Sequence, residues 1–221
     1  MATLLSGYPY APGLRPVAAL VVIFTVDGGK LQVLLVRRSA PPYEGWWSLP
    51  GGLLAPAEGP DEAAVRKLEE ETGVTDVYLE QLFTFHDLDG RGGVAVTYFA
   101  LVDIGRAHLA QRNEWPPSWF AVENLPPLAF RNEMVVEYAL RRLRAKLSYS
   151  NVVYSLLPPH FTMSQLQRVY EAILGRRLDK RNFRRRMLAL GLVVPTGRRA
   201  AEGRHRPAQL YAFRERRPII F

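Results

Sequence analysis

Apolar and polar positions alternate in two regimes along this chain. Residues 16–26 and 31–37 are runs of aliphatic and β-branched side chains separated by Asp27-Gly28-Gly29, which predicts strand, tight turn and strand. A loop over 38–46 follows. Residues 61–72 then switch to helical spacing: helix formers throughout, Asp61 and Glu62 in the first turn, and Gly73 as the stop. Ala64, Val65, Leu68 and Thr72 form the expected inward stripe, leaving Lys67, Glu70 and Glu71 together on another face. Strands are predicted again over 77–85 and 94–102, joined by the glycine-rich turn 87–93, with a last short strand over 119–122. Pro126-Pro127 breaks the chain, and 132–146 carries a helical pattern with a basic end that closes a first unit.

The remaining residues have a different order. Thr162-Met-Ser-Gln165 is a capping box opening a helix with Leu166, Val169, Tyr170 and Ile173 on its inner face and Gly175 at its end. Asp179 is a good N-cap for a second helix that turns Phe183, Met187 and Leu190 inward. Residues 192–195 and 209–213 read as strands around an arginine-rich loop. Helix, turn, helix, strand, basic loop, strand is the order of a winged helix-turn-helix. We therefore expect an α/β effector unit over 1–148 and a winged helix over 149–221, with the boundary at 147–151.

Charge sharpens this division. The net charge of the 221 residues is +8, but residues 1–149 carry 14 Lys+Arg against 17 Asp+Glu, whereas 150–221 carry 15 against 4. The two parts are thus at −3 and +11. A surface so basic attracts polyanions by counterion release, and double-stranded DNA is the expected partner. There is no cysteine, which removes disulfides, thiolate metal sites and thiol chemistry. His86, His108, His160 and His205 have no ligand spacing, and no metal site is expected from them. No apolar run reaches the roughly 20 residues of a membrane span, so a cytoplasmic protein without membrane contact is expected.

The stretch from Gly52 to Val74 carries the candidate chemistry. Gly52, Glu58, Arg66, Leu68, Glu70, Glu71, Gly73 and Val74 fall at the fixed positions of G-x5-E-x7-R-E-U-x-E-E-x-G-U, where U is aliphatic. Trp47-Ser-Leu-Pro-Gly51 precedes them. The segment resembles a Nudix box, which implies the Nudix α/β/α sandwich with a mixed sheet. It departs from the pattern at one position, where Lys67 replaces the glutamate after the arginine. A Mg2+ ion requires several oxygen ligands at about 2.0–2.1 Å, and an ammonium group supplies none. Weak or absent Mg2+ binding and a catalytically degenerate box are the expectation, with no cofactor required. The rival is an active Mg-dependent ADP-ribose pyrophosphatase in which Glu69 or Glu80 supplies a relocated base.

The chain as a whole is similar to the Nudix-related transcriptional regulators, the NrtR family of bacterial repressors. The similarity is carried by the box, by Leu125-Pro-Pro-Leu-Ala-Phe130, by Phe161 to Ala172, by Leu178 to Arg185 and by Arg206-Pro-Ala-Gln-Leu-Tyr211. It implies a repressor of NAD metabolism or pentose-utilisation genes that acts as a homodimer on a palindromic operator, with ADP-ribose or a related nucleotide as effector. Expected ligand contacts are Arg37, Trp46, Glu58, Glu70, Glu71, Phe85 and Arg91; the aromatics are candidates to stack on adenine and Arg91 to grip phosphate. Expected DNA contacts are Thr162, Lys180, Arg181, Asn182, Arg184 and Arg185 on or before the recognition helix. Arg198, Arg199, Arg204, His205 and Arg206 in the wing complete the set.

Overall fold

The computed structural model describes residues 15–75, 78–88, 92–111, 116–200 and 207–221. Strands β1 (Val17–Asp27) and β2 (Lys30–Arg37) form the hairpin around Gly28-Gly29, whose φ angles of 54° and 76° suit glycine. The short strands β3 (Trp47–Ser48) and β4 (Gly51–Leu53) follow, then helix α1 (Pro60–Thr72). Strands β5 (Tyr78–His86), β6 (Val94–Leu101) and β7 (Ser118–Ala121) lead to helix α2 (Asn132–Lys146). The sheet runs β3-β2-β1-β6-β5, with β4 paired to β1 and β7 to β2. It is mixed, because β6 lies parallel to β1 while the hairpin partners are antiparallel.

Strand β1 is near-continuously apolar because both of its faces are covered. Val21 and Ile23 point to α1, where they cluster with Leu34, Ala64, Leu68 and Tyr98. Val22 and Phe24, one residue out of phase, point to the other layer with Val33 and Leu35, against Val135, Val136, Ala139 and Leu143 of α2. The helices thus sandwich the sheet. One expectation fails on α1. Its buried residues are Ala63, Ala64, Leu68, Glu71 and Thr72, whereas Val65 is 45% exposed. The stripe is centred between Leu68 and Thr72, so Glu71 turns inward with them and does not share the outer face of Lys67 and Glu70.

The C-terminal unit consists of β8 (Phe161–Thr162), α3 (Met163–Leu174), α4 (Lys180–Ala189), β9 (Val193–Arg199) and β10 (Gln209–Phe213). Its small sheet has the order β8-β10-β9. The Thr162 hydroxyl accepts from Gln165 N at 3.2 Å while Gln165 Oε1 accepts from Thr162 N at 2.7 Å, closing the capping box. Phe161, Leu166, Ile173, Phe183, Met187, Tyr211 and Phe213 fill the interior.

Residues 147–151, expected as a boundary, are largely interior. Leu147, Ser150 and Asn151 are buried, as is the 3-10 turn Val152–Leu156. Tyr78 N donates to Ser155 Oγ at 3.0 Å, and one apolar cluster continues from the sheet through α2 into α3. Asn151 also fastens the C-terminal segment: its Nδ2 donates to Glu215 O and Arg217 O, and its Oδ1 accepts from Ile219 N at 2.8 Å. Among the described residues no helix is long and apolar enough to cross a membrane.

Candidate functional site

The box spans β4, the loop after it and α1. Gly51 has no alternative residue here, since a Cβ would sit 2.4 Å from Ala19 O. A Cβ on Gly52 would lie 4.0 Å from Lys67 Cε, an ordinary contact, so Gly52 and the lysine chain are neighbours across the box. Glu58 is gripped by Arg66, with Nε to Oε1 at 2.7 Å and Nη2 to Oε2 at 2.8 Å, and it also accepts from Ala55 N at 2.8 Å. These hydrogen bonds, the arginine's first, hold its carboxyl down at about 2. Arg66 Nη1 reaches Glu70 Oε1 at 3.1 Å, and Lys67 Nζ reaches Glu70 Oε2 at 2.6 Å. Burial pushes Glu70 up, but the bonds from Lys67 and Arg66 outweigh it and its carboxyl lies below the usual range.

Both oxygens of Glu58 and both of Glu70 therefore face protein cations. A divalent ion needs such oxygens converging on one point. Among the described residues no group of three or more His, Asp or Glu side chains is placed to hold a metal. Glu80, a candidate for a relocated base, is engaged on the opposite layer: it accepts from Lys146 Nζ at 2.7 Å, from Arg142 at 3.4 Å and from the Tyr78 hydroxyl.

Beside α1 lies a cleft of about 670 Å³. Lys67 and Glu71 line it from the helix, Arg37 and Arg38 from the end of β2, and Phe130 and Asn132 from the start of α2. Three cations and one carboxylate in the lining leave it net positive, which suits an anion, and the apolar remainder suits the body of a small ligand. Arg38 donates to Pro42 O at 2.8 Å, and its guanidinium lies 4.4 Å from the Phe130 ring centroid. Arg37 sits over Trp47 at 5.2 Å.

Of the expected ligand contacts, the structure brings Arg37 and Glu71 into this cleft. Glu58 and Glu70 stand outside its lining, held by Arg66 and Lys67. Trp46 is 45% exposed and packs edge-on to Tyr43 at 5.4 Å, and Phe85 packs with Phe83 and Tyr138 on the β5 side of the sheet; neither lines the cleft. Arg91 lies outside the described residues. Arg38, Phe130 and Asn132 were missed by sequence reasoning. Phe130 closes the Leu-Pro-Pro-Leu-Ala-Phe motif, a signal that pointed to kinship but not to a cleft.

The basic surface is on α4 and the wing. Lys180, Arg181, Asn182, Arg184 and Arg185 are all exposed along α4, whose N-terminus is capped by Asp179 accepting from Asn182 N at 2.8 Å. Arg185 donates to Asn182 Oδ1 at 3.0 Å, and Arg184 donates to the Tyr211 hydroxyl at 2.7 Å, tying the helix to β10. Arg198 and Arg199 are exposed on β9. Thr162 is occupied in capping α3. Arg204, His205 and Arg206 lie outside the described residues.

Comparison with known families agrees with both halves. A NUDIX domain model matches residues 14–141, and a model of the NrtR DNA-binding winged helix domain matches residues 153–213. Over 200 residues the chain is 39% identical to the ADPR-responsive transcriptional repressor NtrR of Acinetobacter baylyi, covering 87% of this chain and 80% of that protein. The chain belongs to the NrtR family. Among solved NrtR structures, that of Shewanella oneidensis NrtR complexed with a 27mer DNA is 35% identical, with a TM-score of 0.80 over 90% of this chain and 93% of that one. The NUDIX domain of the same Shewanella NrtR complexed with ADP ribose is 34% identical, with a TM-score of 0.54 over 61% of this chain and 94% of that one. The Nudix fold and the winged helix of this NrtR-family member are therefore established by sequence and structure alike.

Proposed function

We propose that this protein is a transcriptional repressor that binds operator DNA through α4 and the wing and takes ADP-ribose, or a related nucleotide, in the cleft beside α1 without cleaving it. The observation that carries the reading is the Lys67–Glu70 pair at 2.6 Å beside the Arg66–Glu58 clamp. Cations occupy the carboxylates that a Nudix enzyme gives to metal, so the box is catalytically degenerate and Mg2+ binding is weak or absent. The same lysine adds positive charge to a wall that faces a pyrophosphate. The engagement of Glu80 with Lys146, Arg142 and Tyr78 disfavours the relocated-base pyrophosphatase.

The two functions meet at α2. Its first residue lines the cleft, and near its end Arg144 Nε donates to Ile173 O at 2.8 Å, at the last turn of α3. The helix bridges the effector unit, residues 1–148, and the DNA unit, residues 149–221. A homodimer on a palindromic operator places two α4 helices one DNA turn apart, and a shift of α2 changes that spacing. Arg181, Asn182, Arg184, Arg185, Arg198 and Arg199 contact DNA, and Arg37, Lys67 and Glu71 contact the nucleotide. Genomic footprinting with and without ADP-ribose tests the proposal. Protection at discrete palindromic sites that the nucleotide removes supports it, and binding at no discrete site refutes it.

A further inference from the structure

The layer of the Nudix unit that holds α2 leaves an aromatic surface open to solvent. Among the described residues β5 is an edge strand, paired only with β6. Phe83 on this strand is 47% exposed, and its ring lies 5.2 Å from that of Phe85 and 5.0 Å from that of Tyr138 on α2. Phe85 and Tyr138 close the triangle at 5.8 Å. Met134, one turn before Tyr138 on the same side of the helix, is 49% exposed. Single exposed apolar residues are ordinary, but a cluster of them marks an association surface.

Charge says what kind of partner covers it. Glu133 and Glu137 are exposed in the first half of α2, and Arg141 is exposed in the second, its guanidinium 5.6 Å from the Tyr138 ring centroid. None of the three has an ion pair among the described residues; the pairs nearby join Arg142 and Lys146 to Glu80. Positions 133, 134, 137, 138 and 141 lie on one side of the helix. A helix face that is acidic in its first half and basic in its second is complementary to itself when run antiparallel.

Resting on the homodimer reading above, we propose that the partner is a second copy of this chain, with the two α2 helices antiparallel across a two-fold axis near Tyr138. Each Glu137 then faces the partner's Arg141, so one contact is made twice, as an isologous interface requires. Phe83, Met134 and Tyr138 of both copies close the apolar centre. A different protein would need no such self-complementarity. Because α2 runs from the nucleotide cleft to α3, the axis lies beside the helix that joins the two sites.

Sedimentation of the full-length protein without DNA tests this face. The wild type should be dimeric at micromolar concentration. Glu137→Arg and Arg141→Glu each set like charges across the axis twice, and each should raise the dimer Kd by about tenfold or more. Mixed in equal amounts, the two variants should associate again, because one chain then carries two cations and the other two carboxylates at these positions. Both side chains are exposed and without ion pairs in the chain, so melting temperatures should stay close to that of the wild type. Phe83→Lys, on a different element, should weaken the dimer by a similar factor and decides the question if a charge variant misfolds. Variants that dimerise as tightly as the wild type, or a mixture no tighter than either variant alone, overturn the assignment of this face. A monomeric wild type overturns the homodimer reading itself.

Discussion

Lys67→Glu restores the residue that the Nudix pattern prescribes, and the geometry fixes what should follow. The wild-type lysine is paired with Glu70 at 2.6 Å, with side-chain exposures of 23% and 42%. A pair this open contributes about 0.2–1 kcal/mol, and the like charges that replace it cost a few tenths more. The variant should therefore fold, with a melting temperature lowered by roughly 2–4 °C for about 1 kcal/mol lost in a chain of this size. The electrostatic effect on a divalent ion is much larger. Changing +1 to −1 beside a +2 ion alters four unit-charge interactions, about 4 kcal/mol at 4 Å even with the dielectric of bulk water. Screening reduces that sum, so we expect Mg2+ or Mn2+ affinity to rise by at least about tenfold out of an unscreened thousandfold. Calorimetry with Mn2+ and chromatographic detection of AMP from ADP-ribose are the assays. The variant should gain metal binding and metal-dependent AMP release, and its metal-free ADP-ribose affinity should fall with the lost cation. Brisk AMP release by the wild type, abolished by Glu70→Gln, would refute the argument, as would a folded variant that binds metal no better.

Other consequences are independent of Lys67. Glu80→Gln removes the partner of Lys146, whose side chain is only 9% exposed; we expect about 2 kcal/mol of destabilisation by urea titration, because a buried cation is left unpaired, with ADP-ribose affinity unchanged. Arg144→Gln deletes the bond from α2 to Ile173 O and should leave ADP-ribose affinity intact while reducing the response of operator binding to the nucleotide, measured by fluorescence anisotropy. Glu58, held at about 2, and Glu70, held below its usual range, titrate lower in the folded than in the unfolded chain. Their contribution is complete above the unfolded carboxylate value of about 4.3 and is lost as pH falls from there toward 2. The urea midpoint should drop through this window, and Glu58→Gln should flatten the drop.

The elements were legible where one signal dominated. Residues 132–146 were read as a helix and α2 is Asn132–Lys146, because the apolar period matches the one face that it buries, Val135, Val136, Ala139 and Leu143. The capping box at Thr162, the Asp179 cap and the inward Phe183 and Met187 follow from local chemistry that tertiary contacts did not override. What sequence could not supply was direction at close range. Val65 and Glu71 exchanged sides because a helix of three turns leaves the centre of its buried face free by one residue. Trp46 and Phe85 are aromatic residues near the box in sequence, but the strands bearing or flanking them carry them away from the cleft. Asn132 was visible only as a helix start, since its importance lies in a partner 83 residues away, Leu49. The pieces that proximity in sequence does not encode, Arg38, Phe130 and Asn132, arrive together only once β2 and α2 are laid beside the box.

The central claim is that the nucleotide cleft and the DNA surface are energetically coupled. It is tested most directly by measuring the ADP-ribose Kd of the full-length protein twice, free and saturated with an operator duplex found by footprinting. Linkage requires that operator weaken ADP-ribose by the same factor by which ADP-ribose weakens operator, about 5–150-fold for couplings of ordinary size. Two reciprocal factors in that range are the predicted result. Identical ADP-ribose affinities with and without operator would contradict the account.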